Sequence, residues 1–191
     1  MKHPPDSAAL LRLGEGVGPP SEVVEVLEGR DSIGLDEALV SEARDQPPVS
    51  DPPAPESVVR RIRGLSVAER VKLALRGNKS ARSILARDPV RLVQGCVLQN
   101  PRVTLEEALV MAKNRSLHGD LLRMIADERD WVRNYAVRLA LVRNPKTPLQ
   151  VALGLLGGVQ ERDIRLLARS REVPSVLQQQ ARRILARKGL A

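Results

Sequence analysis

The chain has 191 residues, 42% of them hydrophobic but only 1% aromatic, and a formal net charge of +8. A single cysteine, Cys96, excludes an internal disulfide framework, and no apolar run reaches the ~20 residues of a membrane-spanning helix. Leu, Val, Ala and Ile without alternating runs predict an all-helical core, and Met-Lys-His-Pro-Pro-Asp at the start has no signal-peptide layout, so a cytoplasmic protein is expected.

Charge divides sharply along the chain. Residues 1–57 hold 4 Lys and Arg against 12 Asp and Glu, with nine of the 14 prolines; residues 58–191 hold 27 against 11. This predicts an acidic tail, residues 1–57, on a basic domain, residues 58–191. In the tail, segments 14–20 and 46–55 are too rich in Gly and Pro for helix or sheet. Two islands between them have helical patterning. One, at 21–28, places Ser21 as an N-cap; the other sets Leu35, Ala38, Leu39 and Ala43 at helical spacing. Both are too short to stand alone. The tail is therefore expected to be a largely disordered, solvated spacer; the alternatives are that one island is a docking helix or that the acidic tail folds back on the basic domain.

The basic domain is internally repetitive. Asn100-Pro-Arg-Val-Thr-Leu-Glu-Glu-Ala-Leu109 recurs as Asn144-Pro-Lys-Thr-Pro-Leu-Gln-Val-Ala-Leu153. Proline pushes the residue before it out of the α region, so each Asn-Pro stops a helix. Thr104 with Glu107, and Thr147 with Gln150, have the spacing of a capping box for the next helix. The following apolar sets are Leu105, Ala108, Leu109, Ala112 and Leu149, Ala152, Leu153, Leu156, both one-faced. An earlier copy starts at Ser66 with Glu69 and has Val67, Val71, Ala74 and Leu75 as its buried face. Second helices end near Ile84-Leu85-Ala86, Met124-Ile125-Ala126 and Leu166-Leu167-Ala168. Third helices are expected at about 89–99, 130–143 and 174–187. All five prolines after residue 57 fall at predicted helix boundaries, and Gly77, Gly157-Gly158 and Gly189 serve as stops. Ser57 to Arg63 is expected to cap the first copy.

Units of about 40 residues with two or three helices have the period of HEAT and armadillo arrays. The chain resembles such α-helical repeat proteins, and its Asn-Pro-x-[Val/Thr]-[Thr/Pro]-Leu repeats are also similar to leucine-rich repeat variants. The resemblance covers residues 58–191. It implies an all-α, right-handed α-solenoid of about three repeats, near 65–101, 102–145 and 146–189, acting as a binding scaffold. It also brings in the HEAT-like DNA glycosylases, which set Trp and Asp near the base, as Trp131 lies near Asp127 and Asp130; half the helices of that family are missing here.

Reactive groups are few. His3 and His118 have no metal-ligand spacing around them, and Cys96 sits in the apolar stretch Val90–Leu98 as a small core residue. Gly77-Asn-Lys-Ser80 lacks the upstream glycine of a phosphate loop and reads as a helix stop and restart. Asp127, Glu128 and Asp130 read as N-terminal complements of the next helix. No catalytic activity, cofactor or metal is expected. Trp131 and Tyr135, the only Trp and Tyr, stand four apart, with core as the preferred place and Tyr135 nearer solvent.

What remains is arginine at matching repeat positions: Arg123 with Arg165, Arg129 with Arg171, Arg138 with Arg182 and Arg143 with Arg187. Stacked repeats turn such pairs into rows, and a guanidinium is a planar fork suited to carboxylates and phosphates. Arg138 and Arg143 are about 140° apart around a helix, which opposes a single stripe. With Arg133 and Tyr135 these are the candidate partner-binding residues. The expected function is a non-enzymatic scaffold for an acidic protein partner; the alternative is a nucleic-acid binder whose acidic tail is autoinhibitory.

Overall fold

The computed structural model describes residues 10, 21–41 and 55–189, and every regular element among them is a helix. The described residues fall into two compact units, divided between Val103 and Thr104. The first contains α1 (Ser21–Leu27), α2 (Glu37–Val40), α3 (Pro55–Arg63), α4 (Val67–Arg76), α5 (Lys79–Leu85) and α6 (Arg91–Gln99). The second contains α7 (Leu105–Lys113), α8 (Gly119–Asp127), α9 (Arg129–Arg133), α10 (Tyr135–Arg143), α11 (Leu149–Leu156), α12 (Glu161–Arg169) and α13 (Ser175–Arg187). His3 and the Pro-rich segments 14–20 and 46–54 lie outside the described residues.

Helix ends follow the local chemistry closely. Capping boxes start α4 at Ser66 with Glu69 and α7 at Thr104 with Glu107. Asn100 and Asn144, each before a proline, are extended C-caps. Gly77 ends α4, and a Cβ there would meet the Leu73 carbonyl oxygen at 2.4 Å, so only glycine fits without a shift. Asn78 then caps α5, which makes the Gly77–Ser80 stretch a stop and restart.

The third expected box does not form. Proline occupies the N-cap of α11 at Pro148, and the Thr147 hydroxyl donates instead to the Leu141 carbonyl at 2.6 Å. The cause is register: Thr147 aligns with Val103, not Thr104, and both Thr147 and Val103 are buried. Leu105 likewise misses the expected buried face; it is exposed, and α7 buries Ala108, Met111 and Ala112. Glu128 occupies the N-cap of α9 without a side-chain capping bond, Asp127 closes α8, and Asp130 pairs with Arg133.

A second correction concerns the expected helix 130–143, which is two helices. Asn134 is extended at φ −71° and ψ 124°; its Oδ1 accepts the Ala136 N–H at 2.9 Å while its own N–H closes on the Trp131 carbonyl. One asparagine thus caps α9 and restarts α10. Trp131 and Tyr135 are not on one helix. Trp131 is buried and Tyr135 half-buried, in the order expected.

Three other asparagines share a device. A helix leaves its last carbonyls without intrahelical donors. Asn100 Nδ2 donates to the carbonyls of Ala74 (2.9 Å) and Gly77 (3.3 Å), at the end of α4. Asn144 Nδ2 does the same for Ala112 (2.8 Å) and Asn114 (3.0 Å), at the end of α7. Asn78 Nδ2 serves Ala38 and Ser41, both at 3.0 Å, at the end of α2. Each Oδ1 meanwhile accepts a backbone N–H two or three residues on.

The expectation of a solvated spacer fails for residues 21–41. α1 packs on α4, and α2 on α4 and α5. Val23, Val26, Leu27 and Leu39 are buried. α1 ends at Gly29, whose φ of 72° is the left-handed C′ position, with Arg30 N–H reaching back to the Glu25 carbonyl. The chain then turns so that Asp31 pairs with Lys72, and both side chains are buried. This second contact is why α4 is buried at four successive residues, Val71, Lys72, Leu73 and Ala74, where the sequence pattern predicts a single face.

In the second unit α10 packs on α7 and α11, and α12 on α13. Leu156, Ile164, Leu167, Leu177 and Ala181 are among the residues that close its core. Cys96 is fully buried on α6 of the first unit, and burial pushes its thiol up to about 12. That is a packing role, not a nucleophile's.

Candidate functional site

Every expected partner-binding residue lies in the second unit, and the structure sorts them by what they already touch. Arg138 and Arg182 hold backbone. Arg138 donates to the carbonyls of Val132 and Gly158, both at 3.0 Å, and so ties the end of α9 to the turn after α11. Arg182 Nε donates to the Ala168 carbonyl near the end of α12 at 3.2 Å. Arg165 pairs with Glu161 one turn back at 2.7 Å, and Arg133 with Asp130 at 3.3 Å; both pairs are surface contacts worth little.

Tyr135 and Arg143 converge on one buried carboxylate. The Tyr135 hydroxyl donates to Asp163 Oδ2 at 2.5 Å and accepts the Gln160 N–H at 3.3 Å. Arg143 Nη2 reaches Asp163 Oδ1 at 2.9 Å, with its side chain nearly half exposed. Burial and the bond to Asp163 hold the Tyr135 phenol above its usual range. The pattern carries a signal for Asp163: it stands among Val159, Ile164 and Leu167, a lone carboxylate on an apolar face.

Arg143 also borders a cavity of about 240 Å³ lined by Arg115, Leu166, Leu167, Ser170, Glu172 and Val173. Arg115 makes a forked contact with Glu172, at 2.6 and 3.3 Å, and both side chains are more than half exposed. This bond lowers the Glu172 carboxyl and raises the Arg115 guanidinium. Leu166 is 54% exposed beside them. Arg115 is absent from the repeat alignment because it lies in the Asn114–Leu117 turn, outside the matched helices; Leu166 is exposed because the core takes Leu167 from the expected triplet.

Arg123, Arg129, Arg171 and Arg187 are different again. Arg123 is on α8, Arg129 opens α9, Arg171 lies in the turn before α13 and Arg187 ends α13; all four are exposed. Among the described residues none has an ion pair or side-chain hydrogen bond. Matched pairs Arg123 and Arg165 do occupy the same position, the fifth, of α8 and α12.

His118 caps α8, its Nδ1 accepting the Asp120 N–H at 3.4 Å. Among the described residues no three His, Cys, Asp or Glu side chains gather where a metal ion would sit, and no helix is long and apolar enough to cross a membrane. Trp131 is 7% exposed, whereas Asp127 and Asp130 are exposed. In comparisons with known proteins, no family model, no curated protein and no solved structure matches this chain.

Proposed function

We propose that this protein is a non-enzymatic, cytoplasmic scaffold that binds an acidic protein partner through arginines of its second unit. One observation carries the reading. Residues 1–103 hold 15 Lys and Arg against 14 Asp and Glu, while residues 104–191 hold 16 against 9. Nearly all the net charge of +8 therefore belongs to the second unit. Its Arg123, Arg129, Arg171 and Arg187 are exposed and unengaged among the described residues. Arg115 and Arg143 border a cavity beside exposed Leu166, so a carboxylate next to an apolar side chain would find both its contacts there. Asn100 and Asn144, at matching positions of two successive sequence repeats, make the same pair of helix-end bonds, which supports reading the helices as turns of a HEAT/armadillo-like α-solenoid.

The same guanidinium groups suit phosphate. Nucleic acid is the weaker reading because a base-stacking platform needs exposed rings. The one Trp is buried, the one Tyr is bonded to Asp163, and the chain has no Phe.

The full chain, used as bait, is compared with R123E/R129E/R171E/R187E and with a first-unit control, R63E/R87E. Retention of the bound protein is expected to fall at least about tenfold for the quadruple variant alone, as loss of several charge-assisted contacts implies. An unchanged set of bound proteins overturns the role given to those four arginines. Tight capture of a labelled DNA or RNA duplex that weakens steeply between about 50 and 200 mM salt would put nucleic acid in the partner's place.

A further inference from the structure

The segment 21–41 has six Asp and Glu and one Arg, whereas residues 58–103, which include the helices it lies on, have eleven Lys and Arg and two acids. Their contacts follow this contrast. Asp31 pairs with Lys72, whose Nζ also donates to the Ile33 carbonyl. Asp36 pairs with Arg61, and Arg102 donates to the Val40 carbonyl at 3.1 Å. Between these polar anchors Val23, Val26 and Leu27 form a short apolar face on α1, with Leu39 on α2.

Several features set this segment apart from an integral layer of core. α1 has seven residues and α2 four, both far below the length at which a helix holds by itself. Four buried apolar side chains anchor 21 ordered residues, a small return against the entropy of ordering them. The fit is also incomplete: a cavity of about 380 Å³ remains between Asp36 and Leu39 on one side and Arg60, Arg61, Gly64 and Leu65 on the other. The connecting residues 42–54 contain Pro47, Pro48, Pro52 and Pro53. A released segment stays covalently joined to the rest of the chain and so competes with an incoming partner.

We propose that the α4 face beneath residues 21–41 is a second docking surface, that this segment is its displaceable internal occupant, and that the incoming partner is an acidic amphipathic helix of another protein. The partner's chemistry is read from the present occupant: an apolar stripe like Val23, Val26 and Leu27, followed by carboxylates placed for Lys72 and Arg61. An extended polyanion without apolar side chains would leave the stripe's sockets empty. This inference concerns the first unit alone and stands or falls separately from the role of the second unit's arginines.

The test uses the full chain and a fluorescent synthetic peptide of residues 21–41. In the intact protein, amides of Val24–Glu28 are expected to exchange hydrogen at least about tenfold faster than those of Leu73–Arg76, after correction for intrinsic rates. The peptide is expected to bind the D31K/D36R chain at least about tenfold more tightly than the wild type, because the internal competitor is weakened. A peptide with both aspartates changed to serine is expected not to bind. The proposal is overturned if segment and α4 exchange as one unit in the wild type. It is equally overturned if the D31K/D36R chain gains no affinity while α6 keeps its protection, or if that variant unfolds throughout, since the segment would then be an integral part of the core.

Discussion

Asn78, Asn100 and Asn144 use the same three polar hydrogen-bonding sites of one side chain for the same task. Each amide N–H2 closes two carbonyls at a helix end while the oxygen holds a turn. Asn100 and Asn144 are buried, so their loss would strand carbonyls away from water. Asn100→Ala and Asn144→Ala are each expected to cost about 2 kcal/mol. In a domain of this size that lowers the melting temperature by roughly 4–8 °C. Asn→Asp keeps the acceptor but not the donor, and is expected to be no better than alanine. A melting scan in which either asparagine can be replaced without loss would remove the device from the account. The arginines divide by the same logic. Arg138 and Arg182 are spent on carbonyls, so changing them perturbs the fold before it perturbs any partner.

At the scale of elements, α4 shows most clearly what a pattern conveys. Its start at Ser66 and its end at Gly77 are legible, because caps depend on neighbours three or four residues away. The burial of Lys72 and Leu73 is not, since the partner Asp31 is 41 residues distant and sits in a segment whose composition resembles a spacer. Lys72 itself is the faint signal, a cation inside a run of Val, Leu and Ala. The break at Asn134 and the displaced role of Thr147 are similar. Both follow from which residue of a short polar motif is in register, and a single residue of slip decides that. At the candidate site the arginine positions are legible from the repeat, but their engagement with Gly158, Val132 and Asp163 is tertiary and is not.

The Lys72 hydrogen bond holds the Asp31 carboxyl below its ordinary value of 3.8 despite burial. A depressed carboxyl stabilises the docked segment fully above that value and loses its contribution as pH falls through the lower, folded value. Docking of α1 is therefore expected to be unchanged from about pH 8 to pH 5 and to weaken only in stronger acid. Asp31→Asn removes the charge at any pH and leaves the buried Lys72 ammonium with the neutral Ile33 carbonyl but no counter-charge, which would cost up to about 3–5 kcal/mol if the segment stayed in place. Lift-off of the segment limits that cost. Exchange at neutral pH is expected to show α1 unprotected in Asp31→Asn, with α10 unaffected. Full protection of α1 in this variant would contradict the importance given to the ion pair.

For the molecule as a whole, charge separates the two units more clearly than composition does. The acidic amino-terminal residues bring the first unit to 15 basic against 14 acidic groups, while the second keeps 16 against 9. Chemical modification of arginine by a dicarbonyl reagent, read by mass spectrometry with and without the partner captured by the full chain, locates that partner directly. Protection is expected at Arg123, Arg129, Arg171 and Arg187, with Arg115 and Arg143 following, while Arg63 and Arg87 of the first unit react as before. Protection confined to the first unit, or equal reactivity of all arginines with and without the partner, would contradict the assignment of partner binding to the second unit.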